Sequence, residues 1–81
     1  MKEFDLVVLQ KDVPEFSLVK GDVGTIVMEH NNGEAFEVEF TTLAGETIGV
    51  ATLPASVLTE AGSTQILHVR ELPDSPQRKS A

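Results

Sequence analysis

The sequence of 81 residues contains no cysteine, no tryptophan and no tyrosine. Without cysteine there are no disulfide bonds and no thiolate metal ligands, so core packing or self-association must stabilise so small a domain. Tryptophan and tyrosine line the grooves that bind proline-rich peptides, and their rings are common platforms on which nucleic-acid bases stack. Their absence argues against both kinds of ligand.

Long apolar runs are also missing. No run approaches the roughly 18 residues that a membrane-spanning helix needs. The first residues include Glu3 and Asp5, whereas a signal peptide begins with basic side chains. We therefore expect an unprocessed cytoplasmic protein that makes no membrane contact.

Positive charge is scarce, because six lysines and arginines stand against 13 acidic residues and give a net charge of −7. The acidic excess belongs to residues 1–72, since residues 73–81 contain Asp74 against Arg78 and Lys79. An acidic body repels phosphate backbones and disfavours sequence-independent binding of nucleic acid. A basic protein partner, or solubility alone, accounts for this charge better.

Residue patterns that carry chemistry are absent as well. An enzyme would have to use His30 or His68 as a general base or metal ligand. The two histidines stand alone, without a His-x-x-x-His or Glu-x-x-His spacing, and no glycine-rich phosphate loop is present. We therefore predict no enzymatic activity, no catalytic residue, no metal site and no cofactor.

The most informative stretch that is present covers residues 19–27, where Gly21 and Gly24 enclose Asp22 and lead into a β-branched run. Glycine adopts positive φ and allows backbones to approach closely, and β-branched residues favour strands. A tight turn that leads into an apolar strand is typical of a small all-β barrel.

Five strands are predicted, at residues 6–9, 23–29, 36–40, 46–53 and 65–72. The alternation in 36–40 places Phe36, Val38 and Phe40 on one face and two glutamates on the other. The triplet Asn31-Asn32-Gly33 predicts a hairpin before that strand. The strand at 65–72 is expected to pair with the first strand and close the sheet.

The segments between the strands have patterns of their own. Residues 11–18 predict a loop, because Pro14 has no amide hydrogen to donate, and Val13, Phe16 and Leu18 are expected to fold back onto the barrel. Residues 54–58 predict a short helical turn that starts at proline. We therefore expect one all-β antiparallel domain over residues 1–72 and a disordered tail over residues 73–81.

Four segments together resemble the bacterial domain of unknown function 4926 family over roughly residues 5–72: Asp12-Val13-Pro14-Glu15, residues 20–27, residues 36–40 and residues 66–70. The resemblance implies an SH3-like barrel. The family has no established activity, and its members often look like one half of a two-gene unit. The resemblance therefore implies a protein partner, of the antitoxin or immunity type.

The turn at residues 21–24 is also similar to the KOW motif of ribosomal and transcription proteins, which opens an SH3-like barrel that binds RNA. A shared turn does not by itself carry a function. KOW domains that bind RNA present basic loops, whereas this chain has acidic residues there: Glu29, Glu34, Glu37, Glu39 and Glu46. This difference counts against RNA.

Glu37 and Glu39 are expected to point the same way, about 7 Å apart. Together with Glu29 or Glu46 on neighbouring strands they would form one acidic surface. Such a surface is either an ordinary solvated face that keeps sheets from pairing, or a docking site for a basic partner. Phe16, in its loop, is predicted to be an exposed apolar anchor.

We predict a non-enzymatic, acidic protein-interaction module that contacts a basic partner through Phe16, Glu37, Glu39 and Glu46. One alternative is a KOW-like module that associates with RNA or the ribosome through Lys11, Lys20, Arg78 and Lys79. The other is a self-associating structural domain, favoured by a small core and by unpaired sheet edges.

Overall fold

A computed structural model of the chain describes residues 1–72. The strands are β1 (Leu6–Leu9), β2 (Val23–His30), β3 (Ala35–Thr41), β4 (Thr47–Pro54) and β5 (Leu58–Glu60). Two short 3-10 helices lie at Pro14–Phe16 and Ala55–Val57. The disordered tail predicted for residues 73–81 lies outside the described residues.

The five strands form a single antiparallel sheet in the order β4-β3-β2-β1-β5. Strands β1 to β4 pair with their neighbours in sequence, and β5 returns to the free side of β1, where Leu58 pairs with Leu9. The prediction of an all-β antiparallel fold of about five strands is confirmed. It has two short 3-10 helices where the sequence indicated one helical turn; the SH3-like form stays a prediction.

The core lies on one face of this sheet, because side chains alternate between the two faces of each strand. The predicted alternation of β3 is confirmed, since Phe36 and Phe40 are each 1% exposed and Val38 is fully buried. Burying such a side chain stabilises the folded state by about 1.5–3 kcal/mol. The remaining core residues come from the other four strands and from the first loop: Val7, Leu9, Val13, Leu18, Ile26, Ala51, Leu53 and Leu58.

Gly24 allows β2 to approach the core side chains of β3. A Cβ atom at this position would lie 2.5 Å from Cγ1 of Val38 and 2.8 Å from Cε2 of Phe40. No side chain fits at such distances without displacing the core. The glycine pattern in the sequence therefore marks a close contact between strands as well as a turn.

The hairpin predicted at Asn31-Asn32-Gly33 is confirmed. All three residues have positive φ, at 52°, 56° and 92°. Asparagine and glycine tolerate this left-handed conformation better than other residues. Next to the hairpin, the register of β2 against β3 shifts between Ile26 and Met28, which marks a β-bulge.

The loop at residues 11–18 folds back onto the core as predicted. Val13 and Leu18 exchange backbone hydrogen bonds of 2.9 and 3.2 Å, and both side chains are buried. Ser17 ends the 3-10 helix with a left-handed φ of 59°. The loop is therefore ordered, and two of its side chains form part of the core.

The strand predicted at residues 65–72 is wrong. The strand that pairs with β1 is β5, which follows directly after the second 3-10 helix and occupies the free side of β1. Residues 61–72 form no strand, and Ile66, Leu67 and Val69 are 92%, 70% and 70% exposed. The segment has strand-forming residues, but β5 already occupies the side of β1 with which the segment was expected to pair.

No helix in residues 1–72 is long and apolar enough to cross a membrane.

Candidate functional site

The candidate site lies on the outer face of β3, opposite the core. Glu37 pairs with Met28 on β2 and with Thr52 on β4. Glu39 pairs in the same way with Thr25 and Val50. Cross-strand partners share a face, so these residues form two parallel rows. We call this surface the acidic face and define it as Thr25, Met28, Glu37, Glu39, Val50 and Thr52.

Both carboxylates of the acidic face are held by a neighbouring residue. Oε2 of Glu37 lies 2.9 Å from Nε2 of His30, and Oε2 of Glu39 accepts a hydrogen bond of 2.7 Å from the Thr47 hydroxyl. Both side chains are half-buried. These contacts fix the two acidic groups against the sheet, so less side-chain entropy is lost when a partner binds.

Glu29 or Glu46 was predicted to extend this surface. Glu29 pairs with Phe36, whose side chain faces the core, so Glu29 leaves the sheet on the other side. Glu46 lies in the loop between β3 and β4, where its amide and carbonyl bond to Thr42. Glu29 is therefore not part of the acidic face, and a role for Glu46 in partner binding stays a prediction.

Phe16 is half-buried, so the prediction that it is an exposed anchor is wrong. Its ring packs against Gly49, where a Cβ atom would overlap the ring carbons Cδ1 and Cε1. The 3-10 helix at Pro14–Phe16 turns the ring towards β4, a strand more than thirty positions later. A role for Phe16 in partner binding stays a prediction.

Asp22 and Arg70 form an ion pair that no pattern in the sequence indicated. Arg70 donates from Nε to Oδ1 at 2.9 Å and from Nη2 to Oδ2 at 2.6 Å, and Nη2 also donates to the Ser17 carbonyl at 2.9 Å. Asp22 accepts a further hydrogen bond of 2.9 Å from the Val19 amide. This two-pronged contact ties residues 61–72 to the turn before β2.

The ion pair changes the acidity of both groups. Burial raises the pKa of the Asp22 carboxyl, but the hydrogen bonds from Arg70 and Val19 outweigh it and bring the pKa below the ordinary value of 3.8. The bond to Asp22 raises the pKa of the Arg70 guanidinium. The folded state therefore favours the charged form of both side chains.

Residues 65–69, which we call the apolar segment, lie between this ion pair and a turn. The amide of Gln65 donates to the carbonyl of Gly62 at 3.1 Å, which holds the first end. Arg70 holds the second end. The exposed apolar side chains of Ile66, Leu67 and Val69 are thus presented on a tethered stretch of chain, a feature typical of interaction surfaces.

The two histidines are not brought together. His30 contacts Glu37, and His68 lies exposed on the apolar segment. Within residues 1–72, no three histidine, aspartate or glutamate side chains are grouped so that they could hold a metal ion.

The fold and these surfaces define a small all-β domain with an acidic outer face and a tethered, exposed apolar segment. The sequence profile of the family described as Domain of unknown function (DUF4926) matches residues 3–60. The chain belongs to this family. The match ends with β5, so the apolar segment and Arg70 lie beyond it. Comparison with curated proteins and with solved structures gives no significant match.

Proposed function

We propose that this chain is a protein-interaction module, without catalytic activity of its own, that binds a basic protein partner through the acidic face. The observation that carries the proposal is the pair Glu37 and Glu39, side by side on the outer face of β3 and each held by a neighbour. Met28 and Val50 flank them, each 46% exposed. Apolar groups among fixed charges are typical of protein interfaces.

Electrostatics favour a basic partner. The acidic face contains no lysine or arginine, and the whole chain carries a net charge of −7. Two carboxylates about 7 Å apart on one strand repel each other, and a lysine or arginine placed between them removes that cost. The surrounding negative field also accelerates the encounter with a basic surface.

The family resemblance suggests where such a partner is found. If the gene is one half of a two-gene unit, the partner is the product of its neighbour, and both proteins act in the cytoplasm of a bacterium. An antitoxin or immunity protein with this surface would neutralise a basic toxin by covering its charged site. An adaptor would use the same contact to recruit a basic protein.

The test is co-purification with the product of the neighbouring gene. The variant Glu37→Lys/Glu39→Lys reverses both charges of the acidic face, and we expect binding at least about tenfold weaker. A matched control, Glu3→Lys/Glu15→Lys, makes the same change in net charge at two exposed positions outside the face. Equal binding by the two double variants would show that the acidic face is not the interface.

The same proteins test the RNA alternative. Lys11 and Lys20 are exposed on one loop, but Asp12 and Glu15 lie between them in sequence. We expect no retention on RNA at low salt. Retention that weakens steeply with added salt, and that Lys11→Ala/Lys20→Ala abolishes, would replace the proposed function with RNA binding.

A further inference from the structure

The two edges of the sheet differ in how well they are protected from pairing with another chain. β5 is three residues long and ends in a charged residue, Glu60. β4 is eight residues long, and none of its residues carries a charge. Proteins usually protect edge strands by shortness, charge, proline or a bulge. β4 has Pro54 at its last position and a register shift against β3 between Gly49 and Thr47, so the open part of its edge is residues 49–53.

The apolar segment has the complementary property. Residues 65–69 are Gln-Ile-Leu-His-Val, a composition that favours strands, and no strand of the described chain pairs with them. Their ends are held by the Gly62 turn and by Arg70, so the segment is already restricted in conformation. Within residues 1–72, one copy of the chain therefore contains a strand-forming segment that joins no sheet and a sheet edge that no strand covers.

We propose that two copies of this chain associate by adding residues 65–69 of one copy to the open edge of β4 in the other. Backbone hydrogen bonds supply the pairing, as in other cases of strand addition. Charge selects these two elements. In a chain with a net charge of −7 most surfaces repel their own copies, whereas β4 and the apolar segment are both uncharged at neutral histidine.

The occupant is a second copy because the same chain supplies both complementary elements. Exchange in both directions makes two equivalent contacts around a twofold axis, the commonest symmetry of protein dimers. The contact uses the backbone edge of β4 and leaves the two glutamates of the acidic face on β3 unengaged. The inference does not rest on the proposed function. Because Val50 and Thr52 belong both to β4 and to the acidic face, binding of the basic partner is tested with Glu37→Lys/Glu39→Lys and not with Thr52→Lys.

The first experiment measures the mass of the purified protein by sedimentation over a range of concentrations. We expect a dimer whose dissociation constant rises at least about tenfold in Ile66→Asp. The matched control is Leu43→Asp, because Leu43 is 91% exposed, close to the 92% of Ile66, and lies in the loop between β3 and β4. This control should dimerise as the wild type does.

The second experiment blocks the acceptor edge. Thr52→Lys introduces a charge on β4, and Thr59→Lys makes the same change at an exposed threonine of β5, the other edge strand. We expect Thr52→Lys to weaken the dimer and Thr59→Lys to leave it unchanged. A mixture of Ile66→Asp with Thr52→Lys should form a mixed dimer, since one intact segment and one intact edge remain.

Several outcomes would overturn the inference. A wild-type protein that stays monomeric at the highest accessible concentration has no such contact. A dimer that Ile66→Asp weakens but Thr52→Lys does not uses another acceptor, and a dimer that neither change weakens uses another surface. The variant Glu37→Lys/Glu39→Lys should still dimerise, so loss of the basic partner and loss of the dimer are separate results.

Discussion

The family-matched body at residues 3–60 and the segment that follows it contain similar apolar residues with opposite fates. Leu58 is 6% exposed and begins a strand, whereas Ile66, only eight positions later, is 92% exposed. Both residue types favour strands or cores. The difference is the neighbour, since Leu58 pairs with Leu9, whereas Ile66 follows after that side of β1 is occupied.

This comparison shows that strand propensity alone does not form a strand. An extended segment needs a partner for its backbone groups and a face on which to bury its side chains. The body supplies both to β5. Among residues 1–72, no strand supplies either to the apolar segment.

The largest expected effect comes from truncating a core side chain. Truncation of an exposed side chain provides the comparison. Phe36→Ala removes a buried ring from β3, so we expect the free energy of unfolding to fall by about 3–5 kcal/mol. Ile66→Ala should change it by less than about 0.5 kcal/mol. Urea denaturation at a concentration where the protein is monomeric measures both values.

If Phe36→Ala fails to fold, Ile26→Val at a fully buried position provides the smaller core change, with an expected loss of about 0.5–1.5 kcal/mol. If Ile66→Ala lowers the free energy of unfolding of the monomer by more than about 1 kcal/mol, the apolar segment packs on the body. That result would contradict the comparison drawn above.

An intermediate effect is expected from adding one methyl group to a glycine in each region. Gly24→Ala forces a Cβ atom against the side chains of Val38 and Phe40, so it should destabilise the fold by about 1–3 kcal/mol. In the second region, a Cβ atom at Gly62 would lie at an ordinary 3.5 Å from Oε1 of Gln65. Gly62→Ala should therefore be neutral in thermal denaturation. Equal melting temperatures for the two variants would show that β2 does not approach β3 as described.

The smallest effect concerns the ion pair that joins the two regions. Arg70→Ala removes the bonds to Asp22 and Ser17, and we expect a loss of at most about 1 kcal/mol, because both side chains remain partly exposed. The motion of residues 61–72 should increase clearly in backbone NMR relaxation. Unchanged relaxation of this segment would show that Arg70 does not tether it.

The same pair predicts a dependence on pH. Folding lowers the pKa of Asp22, so the pair stabilises the folded state above the ordinary value of 3.8 and this stabilisation is lost as pH falls through the lower folded-state pKa. Wild type and Arg70→Ala should therefore differ in stability at pH 7. The difference should disappear as the pH falls below the folded-state pKa of Asp22. A stability difference that stays constant under acid would contradict this assignment.

Much of the fold could be predicted because its determinants are local. The alternation of residues 36–40 and the triplet Asn31-Asn32-Gly33 specify a strand and a turn through near neighbours alone. β5 could not be predicted in the same way, because it is three residues long and contains a single apolar side chain. Residues 65–72 contain more strand-forming side chains than β5 but have no place in the sheet.

The candidate site also has a part that local sequence patterns predict and a part that they do not. Alternation alone placed Glu37 and Glu39 together on the outer face. The partners of Phe16 and Asp22 come from distant parts of the chain, at Gly49 and Arg70, and no sequence period connects such positions. Contacts of this kind follow from topology, which local patterns do not specify.

The pairing of β5 with β1 also determines when the sheet can be completed during translation. Val7 pairs with Glu60, so β1 has a neighbour on only one side until β5 has left the exit tunnel. Closing this loop costs more conformational entropy than closing the short hairpins that join β2, β3 and β4. The nascent polypeptide must therefore keep Val7 and Leu9 from aggregating until residue 60 has appeared.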